Sequence, residues 1–468
     1  MKKTKIICTI GPSSESKETF AKMAEAGMDV VRLNFSHGSH EDFAKKIKMI
    51  KEVREEKKLP LPILLDTKGP EFRIRAFKDG KITLEEGAKF TFTTENIEGD
   101  ATRVSVSYHG ICEDLSAGDK ILLNNGLMSF RVESVEKPNV HCVVEVGGEL
   151  SSNKSMFFPE KELHLDFLSE QDKSDLLFGI QQDVDFVALS FVSKAQDVLD
   201  TKQFLEENGG KHIDVIAKIE NRAGVNNLLE IMQVSDGIMV ARGDLGVEIP
   251  YVELPNVQKY IITQCRIHGK RVITATEMLE SMIHNPRPTR AEISDVANAV
   301  YDGTSAVMLS GETAAGNYPV QSVNAMAKIV EHAEEHIEYI QTIDSFEIRT
   351  TSEALSHSAA TLAKDLKASA IVVCTRTGGT ARKVSRFRPN INIIGITTDI
   401  HAYRQLALSW GVMPAITDEY SSIDILFYFA KQIAKGSGLV KAGDTIVITG
   451  GTPNGKSGNS NLINVETI

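Results

Sequence analysis

The most constraining feature of this chain is the regular return of short apolar segments, separated by stretches with helical periodicity. Eight such segments occur in its first two-thirds, at residues 4–10, 29–35, 62–67, 185–191, 214–220, 236–244, 271–277 and 306–312. Continuous apolar runs of this length are typical of strands that are buried on both faces of a parallel sheet. Eight strands that alternate with helices favour an α/β fold of the (β/α)8 or TIM-barrel type.

Two regions depart from this rhythm. Residues 70–170 alternate polar and apolar side chains between turn residues, which predicts a small β-barrel domain inserted after the third barrel strand. After about residue 343 a new α/β pattern begins, with apolar strands at 370–375 and 445–449. We therefore expect a barrel (1–69 and 171–343), an inserted β lid (70–170) and a C-terminal α/β domain (344–468).

Composition narrows the class of protein. The 468 residues are 42% hydrophobic and 25% charged, which is an ordinary globular mixture. Lys and Arg total 52 against 63 Asp and Glu, a net charge of −11 that argues against general binding to nucleic acid or to anionic membranes. The five cysteines show no metal-ligand spacing, and neither a signal peptide nor a membrane-spanning run is present. The sequence predicts a soluble cytoplasmic protein.

Polar side chains end almost every predicted barrel strand, where a barrel of this type carries its active site. Lys218 and Glu220 lie two residues apart and project from one face of a strand, and Asp244 ends the next strand. Two carboxylates on adjacent strands suit Mg²⁺, which keeps part of its shell for substrate oxygens. The alternative is a structural Lys–Glu ion pair with Asp244 as a helix N-cap, and spacing alone leaves both interpretations open.

A second set of polar residues lies at the ends of the second and third predicted strands. Arg32 offers a fork for phosphate or carboxylate. The oxygen-bearing side chains that accompany it suit a large monovalent cation more than zinc; they are Asn34, Ser36, Asp66 and Thr67. The alternative is a polar network that braces the rim of the barrel, and spacing alone favours this alternative.

The residues named above lie in segments that resemble the pyruvate kinase family. The resemblance extends over essentially the whole length of the chain. The resemblance rests on long segments in the family's order, which include KTKIICTIGPSS, MDVVRLNFSHG, ILLDTKGPEFR, DVIAKIENRAGV, DGIMVARGDLGVEIP, TATEMLESMIHNPRPTRAEISDVANAVYDGTSAVMLSGETAAGNYP and TRTGGTARKVSRFRP. It implies transfer of the phosphoryl group of phosphoenolpyruvate to ADP, which gives pyruvate and ATP in the last step of glycolysis. It also implies a homotetramer.

The resemblance further implies a role for individual residues. Glu220 and Asp244 would hold Mg²⁺ or Mn²⁺, and Lys218 and Arg32 would contact the transferring phosphoryl group. K⁺ would be ligated by Asn34, Ser36, Asp66 and Thr67. The three-carbon substrate would meet Gly243, Asp244 and Thr276, with Thr276, and Ser310 as a second candidate, relaying a proton. The nucleotide would be bound by Asn34, His37, Arg73 and Lys154. Glu71 is typical of the K⁺-dependent branch.

The C-terminal domain carries a further candidate site. Residues Thr375, Thr377, Gly378, Gly379 and Thr380 follow a strand and open a helix, and a second Gly-rich loop at 450–458 carries Lys456. Backbone N–H groups and hydroxyls at such a place can hold phosphate. Spacing alone leaves two ordinary surface turns equally open, whereas the resemblance implies a sugar-phosphate or nucleotide effector.

The sequence also departs from the family, and two other functions compete with the kinase. Asn124-Asn125-Gly126 replaces the family's common Asp-Asp-Gly in the lid, and the segment around Lys154 differs as well. A metal-dependent aldolase or lyase would share the barrel and the carboxylates, but not Lys218 beside the potassium set. A non-enzymatic metabolite sensor would be expected to have lost Lys218, Glu220 or Asp244, and all three are present.

Overall fold

We describe the protein from a computed structural model, which covers residues 2–161, 163, 167–337, 348, 350–451 and 460–468. The barrel begins with β1 (Lys5–Thr9), α1 (Lys17–Ala26), β2 (Val30–Asn34), α2 (His40–Lys57) and β3 (Ile63–Asp66). Serine caps begin both helices: the Ser16 and Ser39 side chains accept hydrogen bonds from backbone N–H groups three residues on.

The inserted domain follows β3, as the sequence predicts. Its elements are β4 (Phe72–Arg73), β5 (Lys81–Leu84), β6 (Lys89–Thr93), β7 (Arg103–Ser105), α3 (Ile111–Asp114), β8 (Lys120–Leu123), β9 (Met128–Glu136), β10 (Asn139–Val146), β11 (Gly148–Ser151) and β12 (Ser155–Phe157). Seven strands form one curled, mostly antiparallel sheet in the order β4-β12-β8-β9-β10-β6-β7, and β5 pairs with β11. An apolar core that includes Phe90, Phe92 and Phe130 fills it.

The chain then returns to the barrel and completes it. The elements are α4 (Glu170–Gln181), β13 (Phe186–Leu189), α5 (Ala195–Glu207), β14 (Asp214–Ile219), α6 (Arg222–Asn226), α7 (Leu228–Val234), β15 (Gly237–Ala241), α8 (Arg242–Glu248), α9 (Leu254–His268), β16 (Arg271–Ala275), a 3-10 helix (Glu280–Ile283), α10 (Arg290–Asp302), β17 (Ala306–Leu309), α11 (Gly311–Ala314) and α12 (Pro319–Glu335). The eight parallel strands close in the order β1-β17-β16-β15-β14-β13-β3-β2. The predicted barrel is confirmed.

The C-terminal domain is a second α/β unit. It contains α13 (Thr351–Asp365), β18 (Ala370–Cys374), α14 (Gly379–Ser385), β19 (Asn392–Thr397), α15 (Ile400–Gln405), a 3-10 helix (Leu406–Leu408), β20 (Val412–Ile416), α16 (Ile423–Gly436), β21 (Thr445–Gly450) and β22 (Leu462–Thr467). The sheet order is β20-β19-β18-β21-β22, with only β22 antiparallel. No helix within the described parts of the chain combines the length and the apolar character that crossing a membrane requires.

Two layers of side chains fill the lower part of the barrel, and one side chain from the C-terminal domain closes it. The inward-facing residues are apolar, and Leu408 packs against them from below. They include Ile7, Val30, Leu64, Ala188 and Ile216. Because strand side chains alternate between faces, the residues two positions further along each strand also point inward, at the mouth. Those residues are Thr9, Arg32, Asp66, Ser190 and Lys218.

Candidate active site

A buried network of charges lies at the mouth of the barrel and is centred on Asp66. One carboxylate oxygen of Asp66 accepts a hydrogen bond from Arg32 Nε at 2.6 Å, and the other accepts one from Lys218 Nζ at 2.9 Å. Burial alone would raise the pKa of Asp66, but the charges of Arg32 and Lys218 lower it below its ordinary value. Asp66 therefore stays ionised and holds two cations beside each other.

Ser190 connects this network to the next strand, although sequence reasoning gave it no role beyond a polar strand end. Its hydroxyl accepts a hydrogen bond from Lys218 Nζ at 2.7 Å and donates one to the Thr67 carbonyl at 2.7 Å. Arg32 NH1 likewise donates to Thr9 Oγ1 at 2.9 Å, a partner that the sequence analysis missed. These neutral partners fix the directions of the two cations without cancelling their charge.

Lys218, Glu220 and Asp244 meet as the spacing predicts. Lys218 Nζ lies 3.1 Å from Glu220 Oε1, and the other oxygen of Glu220 accepts a hydrogen bond from the Phe191 N–H at 2.6 Å. Burial lowers the pKa of Lys218, but Asp66 and Glu220 raise it above its ordinary value. The lysine is therefore a permanent cation in a buried position.

Glu220 and Asp244 crowd each other at this mouth. Burial raises the pKa of Glu220; Lys218 opposes that shift and Asp244 adds to it. Burial likewise raises the pKa of Asp244, and Glu71 of the inserted domain adds to the shift. One buried and one half-buried carboxylate whose charged forms are both disfavoured need further positive charge between them. The pair fits a divalent cation with oxygen ligands, such as Mg²⁺.

The residues predicted to ligate K⁺ lie at the ends of β2 and β3 and just after them. Asn34 and Asp66 are register partners on β2 and β3, and Asn34 Oδ1 accepts a hydrogen bond from the Ser36 N–H at 3.1 Å. Thr67 follows Asp66 and offers both a carbonyl and a hydroxyl oxygen beside Ser190. One carboxylate among neutral oxygens is a donor set that fits a monovalent cation.

Thr276 has a strained backbone that a neighbouring arginine holds in place. Its φ is 70°, a left-handed value that is costly for a β-branched residue. Arg242 NH2 donates to the Thr276 carbonyl at 2.6 Å, and Arg242 NH1 pairs with both oxygens of Asp295 at 2.7 and 2.9 Å. The Thr276 hydroxyl accepts from the Gly243 N–H at 2.7 Å, so this clamp fixes it beside Asp244.

Ser310, the second candidate for a proton relay, lies at the end of β17. Its hydroxyl oxygen is buried and has no hydrogen-bond partner within the described residues. Its backbone N–H donates to Glu312 Oε2 at 2.7 Å, and Glu312 Oε1 accepts from the Leu279 N–H at 3.0 Å. A buried hydroxyl without a partner is costly unless something else satisfies it, as a substrate or a water could.

The inserted domain faces the mouth across a cleft, whose lining includes Glu71, Phe158, Asn221, Asp244 and Glu248. The tip of the β8–β9 hairpin also approaches α8, because a Cβ on Gly126 would meet Val247 at 3.4 Å. Asn124 and Asn125 both adopt positive φ in that hairpin, which asparagine tolerates. The departure from Asp-Asp-Gly thus keeps the turn and removes its charge.

Two of the predicted nucleotide residues, Arg73 and Lys154, are sequence neighbours of Phe72 and Ser155, which line this cleft. Arg73 NH2 pairs with Glu71 Oε1 at 2.6 Å, and Arg73 NH1 donates to the Asn153 carbonyl at 2.7 Å. Lys154 is half-buried, and its carbonyl accepts from the Ile74 N–H at 3.0 Å. His37 is exposed at the rim after β2. Among the described residues, their contacts do not form one network as those of Asp66, Arg32 and Lys218 do.

The predicted effector loop leads from β18 into α14. Gly378 caps the helix with a φ of 77°, Thr377 is exposed, and Arg382 NH1 donates to the Thr377 carbonyl at 3.2 Å. A Cβ on Gly379 would meet only the Thr377 hydroxyl, at 3.8 Å. Thr375 is buried, and Thr380 is buried with its hydroxyl 2.7 Å from that of Ser460. Lys456 lies outside the described residues.

The fold and this site define a class before any comparison is made. A closed (β/α)8 barrel that pairs two fixed cations with crowded carboxylates at its carboxyl end, beneath a lid, is typical of an enzyme that acts on phosphorylated or enolised anions.

Comparison with known proteins narrows this class. Residues 1–323 match the family model "Pyruvate kinase, barrel domain", and residues 353–466 match "Pyruvate kinase, alpha/beta domain". The chain is 46% identical to a pyruvate kinase of Clostridium acetobutylicum over the full length of both chains. It is also 46% identical to that of Geobacillus stearothermophilus, covering all of this chain and 80% of the relative, and 43% identical to that of Clostridium perfringens over both full lengths. The chain belongs to the pyruvate kinase family and is a phosphotransferase.

Proposed function

We propose that this chain transfers the phosphoryl group of phosphoenolpyruvate to ADP. In this proposal, Arg32 and Lys218 bind the oxygens of the phosphoryl group while it is transferred. The observation that carries the proposal is the position of Lys218 Nζ, which lies 2.9 Å from Asp66 and 3.1 Å from Glu220 in a buried layer. Phosphoryl transfer requires positioning and charge neutralisation rather than a covalent intermediate on the protein. Two fixed cations directed by Asp66 supply both.

Glu220 and Asp244 would hold the divalent cation that the family generally requires, Mg²⁺ or Mn²⁺, and Asn34, Ser36, Asp66 and Thr67 would hold K⁺. Bound there, the two cations would draw charge from the phosphoryl and carboxylate oxygens of the substrate. Activity should disappear on chelation of divalent ions and should rise with K⁺ more than with Na⁺. Glu71→Lys should weaken the dependence on K⁺, because a tethered ammonium adds positive charge at this side of the cleft.

The remaining residues of the mouth would orient the substrate and deliver a proton. Gly243 and Thr276 would contact the three-carbon acid beside Asp244. The Thr276 hydroxyl, fixed by the Gly243 N–H, and the unpartnered Ser310 hydroxyl would pass a proton to the enolate carbon through water. Asn34, His37, Arg73 and Lys154 would bind the nucleotide from the rim and the lid.

A coupled assay tests this assignment directly. Pyruvate should form from phosphoenolpyruvate only when ADP and a divalent ion are both present. The competing lyase function predicts pyruvate from a carbon–carbon cleavage that needs no ADP. Lys173→Met is a matched control for lysine substitutions, because Lys173 is an exposed lysine at the start of α4. Release of pyruvate without ADP would contradict the kinase proposal.

We propose further that residues 70–170 act as a lid and residues 344–468 as a regulatory domain. A sugar phosphate or nucleotide would bind Thr375, Thr377, Gly378, Gly379 and Thr380. Thr377→Glu is the sharper test, because Thr377 is exposed whereas the Thr380 hydroxyl is buried against Ser460. The variant should keep its unactivated turnover and lose the effector's reduction of the Michaelis constant for phosphoenolpyruvate. If no phosphorylated sugar or nucleotide changes the kinetics of the native chain, the loop is an ordinary turn.

A homotetramer in the cytoplasm completes the proposal. Two separate groups of large apolar side chains are exposed: Tyr251, Val252, Ile293 and Tyr301 on the barrel, and Ile416, Ile423, Ile425 and Tyr428 on the C-terminal domain. Two such groups on one chain would allow two different contacts between copies, as a dimer of dimers requires. The five cysteines are unpaired, as in a reducing compartment. Light scattering should give four times the chain mass.

A further inference from the structure

Three metal-ligating side chains meet at the closed end of the barrel, opposite the mouth. Asp183 lies in the loop between α4 and β13, and His212 lies in the loop between α5 and β14. His401 belongs to the first turn of α15 in the C-terminal domain. We call these three residues the interdomain triad, because they bring two loops of the barrel against a helix of the other domain.

The distances in the interdomain triad differ from those of hydrogen bonds. His212 Nε2 lies 3.6 Å and His401 Nδ1 lies 3.5 Å from the same oxygen of Asp183, Oδ1. A nitrogen–oxygen contact of this length is too long for a good hydrogen bond. In a tetrahedral zinc site with bonds of 2.0–2.1 Å, neighbouring ligand atoms are roughly 3.3–3.4 Å apart. Both nitrogens therefore lie almost at ligand spacing from the carboxylate oxygen, and the three atoms all lie within 4.8 Å of one another.

The hydrogen bonds around the interdomain triad leave the two facing histidine nitrogens and Oδ1 of Asp183 available to bind a metal ion. His212 Nε2 and His401 Nδ1 are both buried, and neither has a hydrogen-bond partner among the residues that the structure describes. Arg404 NH1 holds the other oxygen of Asp183, Oδ2, at 2.8 Å, which turns Oδ1 toward the two rings. An outer partner that orients a ligand in this way is a regular feature of metal sites.

The interdomain triad is also reachable from solvent. The side chains of His212, His401 and Asp183 are 27%, 28% and 39% exposed, so the outer edges of the rings face solvent although the two facing nitrogens are buried. The two imidazole rings lie 4.1 Å apart between centroids at an angle of 36°. Coordination requires these rings to turn slightly apart, which exposed edges permit.

We propose that the interdomain triad binds a divalent transition-metal ion of the zinc class and so connects the barrel to the C-terminal domain. Two imidazoles and one carboxylate select such an ion over Mg²⁺ and Ca²⁺, which prefer all-oxygen shells. Three protein ligands leave a fourth tetrahedral position for water. The site is distinct from the carboxylate pair at the mouth and lies on the other end of the barrel.

Within the described part of the chain, two other places compete for added metal, so the experiment must remove them first. One is the proposed catalytic pair Glu220 and Asp244, and the other is an exposed group on α12, His332, Glu335 and His336. The E220Q/H332Q double variant serves as the background. Zn²⁺ binding is measured by calorimetry, and Co²⁺ binding by the visible absorption that a tetrahedral Co²⁺ site gives.

The background variant should bind one ion per chain with a tetrahedral Co²⁺ spectrum, and Zn²⁺ should displace the Co²⁺ and raise the unfolding temperature. Adding H401Q or H212Q should weaken binding by more than about 100-fold, because loss of an outer partner alone costs about 10–100-fold. H357Q, which changes a histidine that packs at a tilted angle against Phe387 in the same domain, should leave binding unchanged.

Folding of the variants is checked separately. H401Q in the otherwise native chain, without added zinc, should keep its phosphotransferase turnover within twofold, since His401 lies outside the proposed machinery. Absence of a tightly bound ion in the background variant would overturn the proposal. Binding that survives both H401Q and H212Q would overturn it as well, because the ion would then lie elsewhere.

Discussion

Both ends of the barrel bury charged side chains, and the two ends differ in what those charges contact. At the closed end, Lys5 Nζ donates to the Val412 carbonyl at 2.8 Å, and Arg271 NH1 pairs with Asp214 at 2.6 Å. Arg404 pairs with Asp185 at 3.2 Å. Each of these cations is satisfied by a partner from a neighbouring loop or from the other domain.

The mouth has the opposite character. There, Arg32 and Lys218 face three carboxylates, Asp66, Glu220 and Asp244, and the pKa values of the last two are raised. The difference teaches that buried charge alone does not indicate function. An excess of like charge at the carboxyl ends of parallel strands does indicate a functional site. Such an arrangement is costly unless a bound ligand supplies the opposite charge.

The largest effect should come from the crowded pair at the mouth. Glu220→Gln removes a proposed metal ligand, and turnover should fall by about 10³-fold or more, since one lost electrostatic contact to a transition state already costs about 10²–10³-fold. Steady-state kinetics measure this, with Glu253→Gln as the control, because Glu253 pairs with Arg222 near the rim. Normal turnover together with reduced stability in the Glu220 variant would contradict this prediction. The charges at the mouth would then be structural, like those at the closed end.

Breaking an ion pair at the closed end should have the reverse effect. Arg271→Met leaves Asp214 without its main partner and should lower the free energy of unfolding by about 3 kcal/mol. Turnover per folded molecule should stay near normal, because Arg271 lies at the opposite end from the substrate. Denaturant unfolding checks the stability, and Arg131→Met, in an exposed pair of the lid, should change it by less than about 1 kcal/mol.

A smaller loss of activity should follow when the clamp on Thr276 is weakened. Arg242→Lys cannot contact both the Thr276 carbonyl and Asp295, so turnover should fall about 10–100-fold through misplacement of the reacting groups. The affinity for Mn²⁺ should not change, which electron paramagnetic resonance can measure. Equal losses of turnover and of Mn²⁺ affinity would show that Arg242 acts on the metal pair instead of on Thr276.

The smallest effect concerns Lys5, whose pKa burial lowers to about 8. The unfolded chain, with an ordinary lysine pKa of about 10.4, therefore binds more protons than the folded chain above pH 8. Because of this difference, stability should rise with pH between pH 8 and about pH 10, by about 1–2 kcal/mol from this group.

Lys5→Met should remove that contribution, so the two proteins should differ in the slope of unfolding free energy against pH. Lys173→Met, an exposed lysine, should leave the slope unchanged. Parallel pH profiles for the Lys5 variant and the native chain would show that the pKa of Lys5 is not lowered in the fold. Lys5 would then stay charged above pH 8, as Lys218 does at the mouth.

Much of this arrangement follows from periodicity, and the exceptions have physical causes. The two-residue spacing of Lys218 and Glu220 was enough to place both at the mouth. Strand β20 was not predicted, because Pro414 interrupts its pattern; the strand tolerates proline since it forms an edge of its sheet.

The partners within the mouth were harder to predict. Ser190 meets Lys218 and Thr67 only because β13 lies between β3 and β14 in the closed barrel, which no single segment reveals. Arg242 was overlooked although a charged residue directly after a buried strand is itself a signal. Its function depends on the left-handed backbone of Thr276, and local propensity disfavours that conformation for threonine.

The most direct test of the account separates the two halves of the reaction in one variant. Lys218→Met should lose phosphoryl transfer by at least about 10²–10³-fold, while Glu220 and Asp244 still bind Mn²⁺. The same variant should continue to exchange the methyl protons of pyruvate with solvent, because enolisation depends on the carboxylate pair and on the proton relay. Nuclear magnetic resonance in deuterated buffer follows the exchange, and the coupled assay follows the transfer. Retained transfer, or parallel loss of transfer and exchange with Mn²⁺ still bound, would contradict the role assigned to Lys218.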